Sequence, residues 1–248
     1  MIASLPMYDL PPVQGANDRF WALIRDGLRA NGMAAPDALS RGTETLWPQW
    51  EAEDLVLSQT CGMPYRTRLH GKVTLIGTPD YGLAGCAPGY YRSVYVAHRD
   101  DRRSRITDFD GSDMAYNEEV SQSGWAAPLN HAAQLGIRLY PALETGGHRA
   151  SMLAVAEGHA PIAALDALTW DMLQDYVPEA AQVKVVGYTE PTPVLPFISA
   201  AGADQRMMFG VLQQAIAGLS VHDRTVTRLR GIVAIPAATY LAVPTPQS

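Results

Sequence analysis

Lysine is nearly missing from this chain: two of the 19 basic residues are lysine, against 25 acidic residues and a formal net charge of -6. Nucleic-acid binders need basic stripes to neutralise phosphates. The one basic cluster, Arg99 to Arg105, is interleaved with Asp100 and Asp101, so it reads as a solvated loop and that class is excluded. Long apolar runs are also lacking. Gly, Pro or charge interrupts each of them, and no membrane span is expected. Cysteine is limited to Cys61 and Cys86, each in a Gly-containing loop after a strand-like run. A bridge between them and a pair of thiols are both open readings.

His70, His98, His131, His148, His159 and His222 show no ligand spacing, and neither His-Glu-x-x-His nor Cys-x-x-Cys occurs. No Walker or dinucleotide glycine pattern is present, and no metal or cofactor is expected. The start, Met1 to Tyr8, has no basic segment and no long apolar segment of a secretory leader. As written, this points to the cytoplasm, or to the mature end of an exported chain.

What the chain does have is a soluble globular balance, 47% hydrophobic and 18% charged over 248 residues, enough for two lobes of ordinary size. Strand-like and helix-like stretches alternate throughout, which makes the class α/β. Phe20, Trp21, Ile24 and Leu28 form a helical stripe after Asn17, a plausible cap, and Asn31-Gly32 ends it. Strands are expected at Asp54 to Ser58, Val73 to Thr78, Tyr90 to Ala97, Ser112 to Tyr116, Ile137 to Leu143, Pro161 to Leu165, Val183 to Tyr188 and Val194 to Ser199.

Between a strand and a helix lies Asn117 to Gly124, Asn-Glu-Glu-Val-Ser-Gln-Ser-Gly. Ser121 and Ser123 stand where the helix would begin, and the first turn of a helix leaves backbone N–H groups unpartnered at its positive end. Gly124 allows close approach to the backbone, and the two hydroxyls add donors, which suits phosphate, phosphonate or sulfate oxygens. An N-cap serine is the plainer reading of an isolated Ser-x-Ser-Gly. Gly146-Gly147-His148 opens a second helix, and Asp166 follows a buried strand. Ser58 to Gly62, a small polar loop at the carboxyl end of a strand, is a candidate wall of the same site.

Three stretches, Asn117 to Gly124, Gly146-Gly147-His148 with Ala154-Val155-Ala156-Glu157-Gly158, and Ala163-Ala164-Leu165-Asp166, occur in the order of one family. The chain resembles the phosphate/phosphite/phosphonate substrate-binding proteins of ABC importers. It departs from their pattern where Gly-Ser-His is Gly-Gly-His and where the helix-end Ala-Asp is Ala160-Pro161.

The resemblance implies the type 2 periplasmic-binding-protein fold, two α/β lobes joined by two hinge strands with a ligand cleft between them. Residues 1–93 with 192–248 would form the first lobe and residues 94–191 the second. It further implies a small anionic ligand held by Asn117, Ser121, Gln122, Ser123 and Gly124, with His148 donating from the facing loop. Tyr8, Gln59 and Thr60 would come from the first lobe, Arg92 from the hinge, and Asp166 would face an amine or cap its helix. It implies no catalysis, an ABC permease as partner, a monomer, and a periplasmic location.

Two rivals remain. The same fold serves pyrimidine-precursor binding and regulator sensing, where Tyr8, Tyr65, Tyr81, Tyr90, Tyr91 and Trp125 could stack on a ring. A serine hydrolase would use Ser123, His148 and Asp166, although no Gly-x-Ser-x-Gly elbow is present.

Overall fold

The computed structural model describes residues 1–42 and 46–246. The chain divides into two compact units, one of residues 1–89 and 193–241, the other of residues 90–192 and 242–248, of which 247 and 248 lie outside the described residues.

The first unit is built on a five-stranded sheet in the order Ile2–Ala3, Leu55–Gln59, Phe197–Ala200, Val73–Asp80, Gly231–Val233. The first pair is parallel and the other pairings are antiparallel. Leu55 to Gln59 are buried at every position, so the strand has apolar contacts on both faces. The helix Gln14–Ala30 buries Phe20, Trp21, Ile24 and Leu28, the stripe read from the sequence. Phe20 meets Phe197 of the sheet at 6.5 Å between ring centres. This helix begins three residues before the expected cap. Asn17 lies inside its first turn and donates from Nδ2 to Asp9 Oδ1 at 2.9 Å, which holds the loop after Tyr8.

The second unit has a five-stranded sheet in the order Leu139–Glu144, Ser112–Tyr116, Ile162–Asp166, Ser93–His98, Val183–Tyr188. The first three strands are parallel, and Ser93–His98 runs antiparallel to both its neighbours. Ile162, Ala163, Ala164 and Leu165 have no exposed surface, and Val94 to Ala97 almost none. Helices cover both faces of such runs, and the parallel connections place the start of each following helix at the carboxyl ends of the strands.

The sequence reading gave residues 90–93, 192 and 242–248 to the first lobe, whereas here they group with the second. Local hydrogen bonds explain why. Ser93 N donates to Thr189 Oγ1 at 2.9 Å, and Ser93–His98 pairs along the second unit's sheet. In the tail, the Pro244 carbonyl accepts from Asn130 Nδ2 at 2.8 Å. Cys61 and Cys86 are not joined by a disulfide. No helix among the described residues is long and apolar enough to cross a membrane.

Tyr240 ties the end of the first unit to its sheet. Its hydroxyl donates to the Val194 carbonyl at 2.7 Å and lies 2.7 Å from Thr78 Oγ1, with all of this buried. Tyr240→Phe removes the group that satisfies both, which is expected to destabilise the protein by about 1–3 kcal/mol in thermal or urea unfolding. An unchanged melting curve would show that this network contributes nothing.

Candidate functional site

In the second unit, three helices begin at the carboxyl ends of three adjacent parallel strands. The strand Ser112–Tyr116 feeds the helical segment 122–134, Leu139–Glu144 feeds His148–Ala156, and Ile162–Asp166 feeds Ala167–Tyr176. Their amide-rich, positive ends therefore gather at one edge of the sheet.

The first of these helices is capped by Ser121, whose Oγ accepts from Gly124 N at 3.0 Å. Its opening turn, Gln122–Ala126, is wider than an α-turn, and Ala126 N reaches back five residues to the Ser121 carbonyl at 3.0 Å. Such wide turns are rare and concentrate at functional positions. Ser121, Gln122 and Ser123 are each at most 3% exposed.

Gly124 is required here for space. A Cβ at this position would lie 1.9 Å from Asn117 Oδ1 and 3.2 Å from His148 Cε1. Asn117 thus packs its side chain on the seat backbone, with Oδ1 buried and unpaired. The same loop is stitched to the His148 loop. Thr145 N and Oγ1 both donate to the Tyr116 carbonyl at 2.9 Å, and Gly146 N donates to the Asn117 carbonyl at 2.9 Å. Gly146 itself adopts φ +79°, a left-handed value that glycine takes without strain.

Ser123 Oγ lies 3.0 Å from His148 Nε2, and the Ser123 carbonyl accepts from Ser93 Oγ at 2.8 Å. Ser93 was not singled out in the sequence. Its only signal was a hydroxyl at the head of an otherwise apolar strand. Burial pushes the His148 ring down to about 4, and the Ala164 carbonyl acts the other way. The imidazole is therefore neutral at pH 7.

The expectation of unpaired seat hydroxyls is corrected by these contacts, since Ser121 and Ser123 both have internal partners. A hydroxyl has one proton and two lone pairs. The Ser121 proton is not used by its contact with Gly124 N, so the cap serine keeps a donor.

Asp166, 2% exposed, accepts from Leu168 N at 2.8 Å and Thr169 N at 3.0 Å, the capping alternative left open in the sequence. Arg92 stacks on the Tyr188 ring at 3.8 Å. In the first unit Gln59 Nε2 donates to Tyr81 Oη at 3.2 Å and the Leu195 carbonyl at 3.0 Å. Tyr8 meets Tyr81 edge-on at 5.3 Å, and Thr60 is fully buried. The cavity beside Tyr8 and Tyr81 is about 20 Å³, room for a water but not for an aromatic ring.

Two of the three conscripted hydrolase residues, Ser123 and His148, do meet. The ring's other polar influence is a backbone carbonyl, and no carboxylate contributes to its titration, so the orienting acid of a triad is lacking there. Among the described residues no group of three or more His, Cys, Asp or Glu could hold a metal ion.

Two variants follow. Gly124→Ala must displace Asn117 and is expected to lower stability by about 1–3 kcal/mol, with a shifted melting midpoint as the readout. Asp166→Ala should lose about 0.5–2 kcal/mol through its cap, while Asp166→Asn, itself a good cap, should melt like the parent. Equal losses in both Asp166 variants would assign the carboxylate's charge a role beyond capping.

Comparison with known proteins bears on the fold and the family. No curated protein sequence matched. Among solved structures, PhnD1 from Prochlorococcus marinus (MIT 9301), in complex with methylphosphonate, aligns with TM-score 0.71 and 15% identity over 96% of this chain and 94% of that one. XAC2383 from Xanthomonas citri, bound to chloride ion, aligns with TM-score 0.72 and 13% identity over 96% of this chain and 92% of the other. A binding protein component of an ABC phosphonate transporter from Pseudomonas aeruginosa (PA3383) aligns with TM-score 0.67 and 15% identity over 94% and 81%. At these identities the likeness establishes the periplasmic-binding-protein fold. A family profile described as "ABC transporter, phosphonate, periplasmic substrate-binding protein" matches residues 56–238. That match covers well over half of the chain and includes all three helix starts, so this protein belongs to the phosphonate substrate-binding family of ABC transporters, whose members bind and do not catalyse.

Proposed function

We propose that this chain captures a small phosphorus oxyanion, an alkylphosphonate foremost with phosphate and phosphite as relatives, at the Ser121–Gly124 helix start beside His148. The observation that carries this is the 3.0 Å contact between Ser123 Oγ and His148 Nε2, which brings two helix starts together at one sheet edge. Backbone N–H groups of Gln122 and Ser123 belong to the first turn and point at the negative guest. The net charge of the chain does not oppose this, because a local array of donors decides affinity while the global field mainly affects encounter.

In this reading Ser121 and Ser123 contribute amides and hydroxyls, Asn117 and Gly124 shape the seat, and His148 sets the state of Ser123. Tyr8, Gln59 and Thr60 are the contacts proposed from the first lobe, with Arg92 and Gln122 adding polar character. Asp166 caps its helix, which favours ligands without an amine. The permease of an ABC importer is the proposed partner, and the protein is proposed to act as a monomer.

Calorimetry with methylphosphonate, phosphate, phosphite, aminoethylphosphonate and sulfate tests the reading. Methylphosphonate should bind, and the double variant Ser121→Ala with Ser123→Ala should weaken that binding by about tenfold or more. Retained affinity in a folded double variant would remove these serines from the site, and silence from every oxyanion would remove the function.

A further inference from the structure

The wide turn Gln122–Ala126 that carries the proposed seat also supplies one wall of a groove. Trp125, 9% exposed, lines it together with Leu129, Ile137, Tyr140, Pro141 and Pro246, around a space of about 830 Å³. Trp125 and Leu129 are four residues apart and so share a face of the helical segment 122–134. The edge strand Leu139–Glu144 forms another wall, and its Tyr140 is 46% exposed. Every one of these residues belongs to the second unit.

The tail, residues 242–246, is docked at this groove. Its Pro244 carbonyl accepts from Asn130 Nδ2, on the same helix as Trp125, at 2.8 Å, and Pro246 lines the groove itself. Val243 and Pro246 are half-buried, while Ala242, Pro244 and Thr245 are exposed. Two prolines fix φ and carry almost no side-chain entropy, so little freedom is lost when such a segment docks. They also lack N–H groups, which keeps the tail from extending the sheet as a further strand. It is held as a strap, by a carbonyl and by apolar contact.

We propose that the strap 242–246, clamped by Asn130, positions the anion seat through Trp125, an inference that rests on that seat. Ala126 N now reaches back to the Ser121 carbonyl, and in an ordinary α-turn it would bond Gln122 instead. Relaxing to that tighter pitch must rotate the Gln122 and Ser123 amides relative to the helix behind them. Trp125, fixed in the groove wall, opposes the rotation. With the strap released, that wall is open to water and only the Ser121, Ser123 and Ala126 hydrogen bonds hold the turn. Apparent affinity then scales with the fraction of molecules whose strap is docked. Asn130 and Trp125 act here as positioning residues, without touching the anion.

The test uses the full chain and Asn130→Leu, which keeps the side chain's size and removes its donor. Calorimetry with methylphosphonate should show affinity about two- to tenfold weaker in the variant, the range that loss of one hydrogen bond allows. Hydrogen exchange over residues 122–126, measured without ligand, should be faster in the variant by a similar factor. Asn130→Gln, which retains a donor, should recover part of both effects. Because coupling is reciprocal, methylphosphonate should slow exchange at Val243 and Thr245 of the wild-type chain.

A variant that melts lower yet binds methylphosphonate like the parent, with unchanged exchange over 122–126, overturns this inference and leaves the seat standing. Silence from methylphosphonate in the wild-type chain removes the seat and, with it, the claim that the strap serves binding. Should Asn130→Leu not fold, tail exchange in the wild-type chain decides the matter: slowing by methylphosphonate supports the coupling, and equal rates overturn it.

Discussion

A single hydrogen bond, between Ser123 Oγ and His148 Nε2 at 3.0 Å, joins two helices that start on neighbouring strands. Helix starts are rich in amide donors, and one alone is a weak and common feature. Two placed side by side, with a third capped by Asp166 next to them, concentrate positive potential at one edge of the sheet. Around that bond the rest of the seat is held fast. Ser93 restrains the Ser123 carbonyl, Thr145 and Gly146 bind the two loops together, and Gly124 admits the Asn117 side chain where any Cβ would intrude.

This arrangement reassigns chemistry that residue type alone would distribute differently. A histidine near an anion is expected to carry charge, and burial keeps this one neutral. A carboxylate at the end of a buried strand is expected to meet a cation, and Asp166 instead spends lone pairs on Leu168 and Thr169 amides. The serine and histidine contact would suit a nucleophile and base, yet the orienting influence on the ring is the Ala164 carbonyl, not a carboxylate. The geometry thereby favours holding a guest over attacking it, in keeping with a family of binding proteins.

Much of the framework was legible because it depends on local chemistry. The strands Ser112–Tyr116 and Val183–Tyr188 and the stripe Phe20, Trp21, Ile24, Leu28 follow from side-chain periodicity. Boundaries moved where tertiary partners outbid local preference. Asn17 has the residue type of a cap, but its amide is drawn to Asp9, and the helix starts at Gln14. The strand expected from Tyr90 to Ala97 is interrupted at Arg92, whose guanidinium lies over Tyr188.

By itself the sequence determined the α/β alternation, the Ser-Gln-Ser-Gly turn at a helix start, the glycines before His148 and the absence of a metal-ligand pattern, since each is written in neighbouring residues. Only the tertiary structure decided that Ser123 pairs with His148, that Ser93 and the Ala164 carbonyl complete their surroundings, and that Cys61 and Cys86 remain unbridged. The physical reason is that burial and hydrogen-bond direction depend on which strands lie side by side. Strand order 139–144, 112–116, 162–166, 93–98, 183–188 brings together residues 16 to 30 positions apart, a relation that no short stretch of chain encodes.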